Sequence, residues 1–265
     1  MILRRRVALD GVQLDSLDNR ILVQSIEPAA GKDQISAVSL ADGSGSRVTA
    51  MHRDWLDIVV KFSINEKSYR LEERAAVMEK VMNWAAAGGW LTVNYKTDRR
   101  VRVIAAQLPA EGDLQKRTTQ YAITFRAYGV PYWQQVDANS LRLNSTSGAG
   151  VTFGVAGNAE SVMDISFTNT SGGTIDTFSI TCGGSSFSFA GLGLGNGETL
   201  VIDHEDNGRQ CLLRIRIRGT SGGYRSAMDK RSGSDDLVVS PGVIWVSFSA
   251  GSSGTLLLQC AGRFA

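Results

Sequence analysis

Residues 68–89 read SYRLEERAAVMEKVMNWAAAGG, and this stretch decides the fold. Leu71, Ala75, Met78, Val81, Met82 and Ala85 recur at three- and four-residue steps, which places them on one face of a helix with 3.6 residues per turn. Glu72, Glu73, Arg74, Glu79 and Lys80 fall largely on the opposite face. Ser68 suits the N-cap, where its hydroxyl accepts a hydrogen bond from an orphan amide, and Glu72 and Glu73 suit the positive end of the helix dipole. Gly88-Gly89 offers the left-handed residue that stops a helix. No other segment reads as a long helix; the remainder alternates like strand.

Immediately before the helix, WLDIVVKFSI (Trp55–Ile64) reads as a buried strand. Immediately after it come WLTVNY (Trp90–Tyr95), a polar turn over Lys96–Arg100, and VRVIAA (Val101–Ala106), a hairpin. RTTQYAITFRAYG (Arg117–Gly129) follows, with Tyr121, Ile123 and Phe125 on one face. Nearer the amino terminus, ILRRRVALD (Ile2–Asp10) reads as a strand whose arginines suit a solvated or partner-facing edge. ILVQSIEP (Ile21–Pro28) is a second strand, closed by its proline. Between these and Trp55, the polar span Gly31–Arg47 has little pattern and reads as a long loop or hairpin arm. Loops of that length inside a compact domain are usually functional or disordered, and in an assembly protein that often means reaching a neighbour. Gly31, Lys32, Asp33 and Arg47 are therefore candidate subunit-interface residues.

Composition changes after residue 134, where 21 of the 29 glycines lie. Short strand candidates are regularly spaced between Gly, Ser and Asn turns: Val162–Phe167, Ile175–Cys182, Ser186–Phe189, Glu198–Ile202, Gln210–Ile217, Val243–Ser249 and Thr255–Cys260. That spacing without a helix predicts an antiparallel sandwich. LLRIRIR (Leu212–Arg218) alternates with a two-residue period, and Asp206-Asn207-Gly208 is a hairpin turn signal. The fold class is mainly β: a helix-bearing first domain at 1–135 and a β-sandwich second domain at 136–265.

The chain of 265 residues carries a net charge of +2, too small to imply nucleic acid or membrane binding by charge alone. Residues 1–134 hold 19 Lys and Arg against 15 Asp and Glu, a balance of +4, and the remainder hold 9 against 11, a balance of −2. Cys182, Cys211 and Cys260 are odd in number and widely spaced, which argues for small apolar packing rather than zinc or a disulfide framework. Neither a signal-length apolar run after Met1 nor a membrane-length one occurs, so a reducing cytoplasm is the expected site of folding.

Candidate chemistry fares poorly. DHEDNG (Asp203–Gly208) opens like a calcium loop, but its twelfth position is Arg214 where a bidentate Glu is needed. His52 with Asp54 and Asp57 can be written as part of a hydrolytic triad, yet no nucleophile elbow accompanies them. GLGLGNG (Gly191–Gly197) lacks the Lys-Ser/Thr of a phosphate loop. No catalytic residue, cofactor or metal site is expected, and hence no enzyme. The five tryptophans suit packing; an alternative reading, a carbohydrate-binding module, would use Trp245, Phe187 and Tyr224 as sugar-facing aromatics.

The order of strand, arm, WLDIVVKFSI, helix ending NWAAAGGWLTVNY, hairpin and RTTQYAITFRAYGVPYW resembles the belt domain of siphophage distal tail (Dit) proteins. ETLVIDHEDNGRQCLLRI and the closing VVSPGVIWVSFSAGSSGTLLLQCAGRFA resemble the galectin-like sandwich that follows the belt in that family. The resemblance covers nearly the whole chain. It implies a structural virion protein, a hexameric adaptor ring joining the tail tube to the tail tip or baseplate, with DNA passing through the lumen without specific binding. It also implies assembly in the host cytoplasm, location at the virion tail tip and no membrane insertion. No inserted carbohydrate-binding module interrupts the second domain here, which favours scaffolding over receptor recognition.

Overall fold

A computed structural model describes residues 5–28, 32–39, 46–65, 71–110, 120–147 and 150–265. The chain forms two compact units, one of Met1–Trp133 with Asp206–Cys211, the other of Gln134–Glu205 with Leu212–Ala265. Residues 206–211, the acidic turn, thus cluster with the first unit, whereas the sequence reading assigned them wholly to the second.

In the first unit β1 (Val7–Leu9), β2 (Val12–Gln13) and β3 (Ile21–Pro28) precede β4 (Lys32–Ser39) and the long β5 (Ser46–Ile64). Then come α1 (Leu71–Ala86), β6 (Gly89–Val93), β7 (Lys96–Gln107) and β8 (Gln120–Ala127). The antiparallel order is β2-β1-β6-β7-β8-β5-β3, with β4 added along β5. Alternation sets the buried face: Leu56, Ile58, Val60 and Phe62 of β5 stand opposite Ala127, Phe125, Ile123 and Tyr121 of β8 there.

Helix α1 buries Val77, Met78, Val81, Trp84 and Ala85. Trp84 sets the rotation: its ring meets Phe125 edge-on at 5.7 Å, and its Nε1 donates to the carbonyl of Val12 at 3.0 Å. The expected stripe is correct at Met78, Val81 and Ala85 but wrong at Leu71, which is 52% exposed, and at Ala75. Arg74, expected on the solvent side, is buried. Shifting the stripe towards Trp84 and Val77 buries larger apolar surface than Leu71 and Ala75 would, and a one-residue step rotates a helix by about 100°. Gly88 stops the helix at φ +62°, with its amide donating to the carbonyl of Ala85. Ser68 lies outside the described residues. The hairpin that follows is tighter than the polar run suggested: Val93 pairs Lys96, leaving Asn94 and Tyr95 as the turn.

The division between the units falls within β9 (Trp133–Gln135). The second unit opens with β10 (Asn139–Ser147), β11 (Val151–Val155), β12 (Ser161–Val162), β13 (Asp164–Asn169), β14 (Phe178–Cys182) and β15 (Ser185–Phe189). It continues through β16 (Thr199–Asp206), β17 (Cys211–Arg218), β18 (Tyr224–Ser226), β19 (Arg231–Gly233) and β20 (Val238–Val239) to β21 (Gly242–Cys260) and β22 (Arg263–Phe264). The two strands expected at 243–249 and 255–260 are one 19-residue strand, β21. Its first half pairs β11 and β14, and its second half pairs β10 and β13, so one strand belongs to both layers of the sandwich. The layers meet where Phe167 of β13 stacks on Phe178 of β14 at 4.8 Å. Gly254 makes that approach possible, because a Cβ there would lie 2.2 Å from the Phe167 ring.

Candidate functional site

The described part of the arm foreseen at Gly31–Arg47 belongs to a ribbon. Strand β4 pairs with β5 from Ser39 opposite Ser46 to Lys32 opposite Trp55. Beyond Trp55 the same strand joins the body of the sheet, flanked by β8 from Leu56 and by β3 from Ile58. Among the described strands, the half of β5 before Leu56 is registered against β4. Eight residues of extended chain reach about 27 Å at ~3.4 Å each. Gly31 lies outside the described residues, and of Lys32, Asp33 and Arg47 only the backbone is described.

The root of the ribbon is clamped. Arg126 of β8 donates from Nε and Nη2 to the two carboxylate oxygens of Asp57 at 2.6 and 2.7 Å, and from Nη1 to the Tyr128 hydroxyl at 3.2 Å. Asp57, then Tyr128, hold the guanidinium pKa well above the usual arginine range. The same guanidinium lies 4.7 Å from the Trp55 ring, and Arg53 lies 5.0 Å from the Tyr132 ring. These pairs fix the direction in which the strand leaves the sheet. The Asp57 of the hypothetical triad is thereby committed to Arg126.

The acids of the calcium-like turn are also committed. Arg214 donates to Asp203 at 2.8 Å and to Glu205 at 2.6 Å, and Arg216 donates to Asp203 at 2.9 Å. Asp206 accepts from the amide of Gly208. The residue that breaks the calcium pattern, Arg214, supplies the positive charge itself. The two-residue period of this strand buries Ile215 and Ile217, while Leu212 is 47% exposed.

His204 stands between two carboxylates. Its Nδ1 lies 2.7 Å from an oxygen of Asp164 and its Nε2 lies 2.8 Å from an oxygen of Asp236, with the side chain 6% exposed. Two carboxylate acceptors require both ring nitrogens to donate, which is the imidazolium. Burial lowers its pKa, but the bonds to Asp164 and Asp236 outweigh burial and raise it to about 9. In sequence, 40 residues separate His204 from Asp164, so no spacing rule could pair them. The clamp ties β16 to β13 and to the approach to β20. Nearby chemistry is inert: burial pushes the Cys182 thiol up to about 12 and the Cys260 thiol up to about 11.

The three aromatics of the sugar-binding alternative do not converge. Phe187 is 0% exposed and lies in the sandwich core, a correction that follows from its inward parity on β15. Tyr224 is exposed on β18 with Arg216 over its ring at 4.4 Å, while Trp245 is exposed on the other layer.

No protein-family model matches the sequence, and neither does any curated protein sequence. Solved structures do match. The Dit protein of phage SPP1, described as a paradigm of the hub adsorption apparatus in phages infecting Gram-positive hosts, superposes with a TM-score of 0.66 at 11% identity, over 98% of this chain and 99% of that one. The fold is that of a phage distal tail protein. A chain of the phage P2 baseplate in its activated conformation with Ca matches with a TM-score of 0.52 at 10% identity, over 99% of this chain and 98% of that one. The corresponding structure with Sr gives 0.52 at 8%, over 97% of each chain. The distal tail fold therefore spans both units, and these neighbours are tail hub and baseplate components.

Proposed function

We propose that this chain is the subunit of a siphophage distal tail hub. Six copies close into a ring that joins the tail tube on one side to the tail-tip or baseplate proteins on the other, with a lumen through which DNA passes without specific binding. The protein is assembled in the host cytoplasm and ends in the virion tail tip; its role is structural rather than enzymatic. No helix among the described residues is long and apolar enough to cross a membrane.

The observation that carries this reading is the β4–β5 ribbon. Two strands alone are marginal in water, and an unpaired strand edge is a template for another chain. Among the described residues, this ribbon presents such an edge along residues 46–52 of β5, while its root is held by Trp55, Arg126 and Asp57. A projecting arm on one side of a subunit and a receiving surface on another make the heterologous interface that closed rings require. Coverage of both units by the distal tail fold supports the same reading.

Deleting residues 33–53 and bridging the ends with a short glycine linker tests it. The intact chain is expected at a mass of six times 28.5 kDa, about 171 kDa, and the deletion variant at the monomer mass with its helix signal retained. A variant that still assembles removes the ribbon from the interface.

A further inference from the structure

Three arginines that stack on aromatic rings are each hydrogen-bonded as well. Arg126 lies over Trp55 and is bound to Asp57, and Arg216 lies over Tyr224 and is bound to Asp203. Arg231 lies over Phe187 and donates to the carbonyls of Ser234 and Asp235. Arg100 and Arg102 of β7 differ. Their guanidinium groups lie 4.2 and 5.5 Å from the ring of Trp90 on β6, and among the described residues neither has a carboxylate or carbonyl partner. Both arginines and the indole are half-buried, and the Nε of Arg100 is enclosed without a hydrogen bond. Asp10 already accepts from the Trp90 amide at 2.8 Å.

Hairpin register produces the stack. Trp90 stands opposite Arg102 and Thr92 opposite Arg100. The alternation that buries Leu91, Val101 and Val103 therefore turns Trp90, Thr92, Arg100 and Arg102 to the other face of the sheet. Ile104 is the next residue of that face along β7, half-buried and opposite Arg126. Gly208, in the turn that clusters with this unit, lies against the Arg102 stem, where a Cβ would be 3.4 Å from Arg102 Cγ. Arg100, Arg102 and Ile104 form a row whose successive members are ~6.8 Å apart, two cations and then an apolar side chain. Two guanidinium groups held partly out of water against one ring, with no acid, leave charge-assisted donors unused.

We propose that this row docks an extended acidic segment of another protein, with acids at alternate positions against Arg100 and Arg102 and an apolar side chain two residues beyond them against Ile104. An extended segment puts every second side chain on one side at the same ~6.8 Å spacing, so it matches the row in charge and in step. The indole holds the guanidinium planes in place, and a pre-set guanidinium takes a carboxylate with two parallel hydrogen bonds. A second copy of this chain does not fit. Two acids at alternate positions occur in it only at Glu111–Asp113 and Asp203–Glu205. The latter pair is already bound to Arg214, and the former has Pro109 and Gln115 two residues away rather than a large apolar side chain. Nor does DNA fit: a phosphate backbone is held by many cations at once, whereas Arg6 beside β1 and Arg99 of β7 are already paired with Asp15 and Asp98. The inference concerns the first unit alone and goes beyond the ring reading without resting on it.

The test is fluorescence anisotropy of the full chain with the labelled peptides GSDTDTISG, GSETETLSG and GSITDTDSG, the last carrying the pattern reversed. GSNTNTISG is the uncharged control and a labelled DNA duplex the polyanion control. At least one acidic peptide is expected to bind, at least tenfold more tightly than the asparagine peptide and more tightly than the duplex, with an affinity that falls as salt is raised. Arg102→Gln is expected to weaken that binding severalfold, and Arg100→Gln combined with Arg102→Gln at least tenfold, with an unchanged circular dichroism spectrum showing that the fold is retained. The comparison of acidic with asparagine peptides uses the native chain, so it decides the matter even if the double variant does not fold. The proposal is overturned if no acidic peptide binds, if the asparagine peptide binds equally well, or if neither variant weakens binding. It is equally overturned if the duplex binds and the acidic peptides do not, since the site then takes phosphate.

Discussion

Replacing His204 by Gln removes the charge from a clamp that the fold has built between two carboxylates. A histidine whose pKa is raised from 6.5 to about 9 in the folded state gives stability that is complete below pH 6.5 and lost as pH rises through 9. The size follows from 1.36 kcal/mol per pH unit: about 3 kcal/mol at pH 6 and less than about 0.5 kcal/mol at pH 9. The side chain is 6% exposed, so screening by solvent is small. The buried Cys182 and Cys260 thiols also make the native state less stable at alkaline pH, but only above their ordinary value of 9.0. Between pH 6 and 9 the slope therefore belongs largely to His204. Urea unfolding followed by circular dichroism, at pH 6, 7.5 and 9, measures it in the full chain. The native protein should lose about 3 kcal/mol across that range in the transition of the second unit, and His204→Gln should start lower and stay flat. A variant with the native slope would refute the imidazolium clamp.

Other consequences are similarly direct. Met78→Asp or Val81→Asp places an unpaired charge where exposure is 2% or 0%, a cost of about 3–5 kcal/mol, and should unfold the first unit and abolish assembly; normal circular dichroism and mass would contradict the placement of α1. Gly254→Ala should cost about 1–3 kcal/mol in urea unfolding, because the new methyl meets the Phe167 ring; an unchanged midpoint would mean the two layers part without strain. Asp57→Ala should cost about 1–2 kcal/mol and loosen the ribbon root, read as faster amide exchange in β5 beside Trp55. EDTA should leave the melting temperature unchanged, since Arg214 supplies the charge at the acidic turn; a drop would reveal a bound cation.

Much of the architecture was legible from period alone. WLDIVVKFSI and QYAITF alternate so strongly that their pairing as β5 and β8 follows from burying one face of each. Helix α1 was legible in existence and extent, but not in rotation, because Trp84 and Val77 outweigh Leu71 only once the sheet beneath supplies Phe125. AGSSG (Ala250–Gly254) reads as a turn by composition; the structure runs it as strand because Gly254 lets Phe167 press against the backbone. The residues of the candidate surfaces were hardest to read. Phe187 and Trp245 look alike as strand aromatics, and only strand parity sends one into the core and the other into water. The His204 clamp depends on residues that meet through sheet register and loop placement, which no single segment encodes.

The central claim is a closed ring, and negative-stain electron microscopy of the purified full chain tests it most directly. Class averages are expected to show a sixfold ring with an open centre, and the deletion of residues 33–53 to show single subunits. Fields of monomers from the intact chain, both alone and mixed with its tail-tube and tail-tip partners, would contradict it.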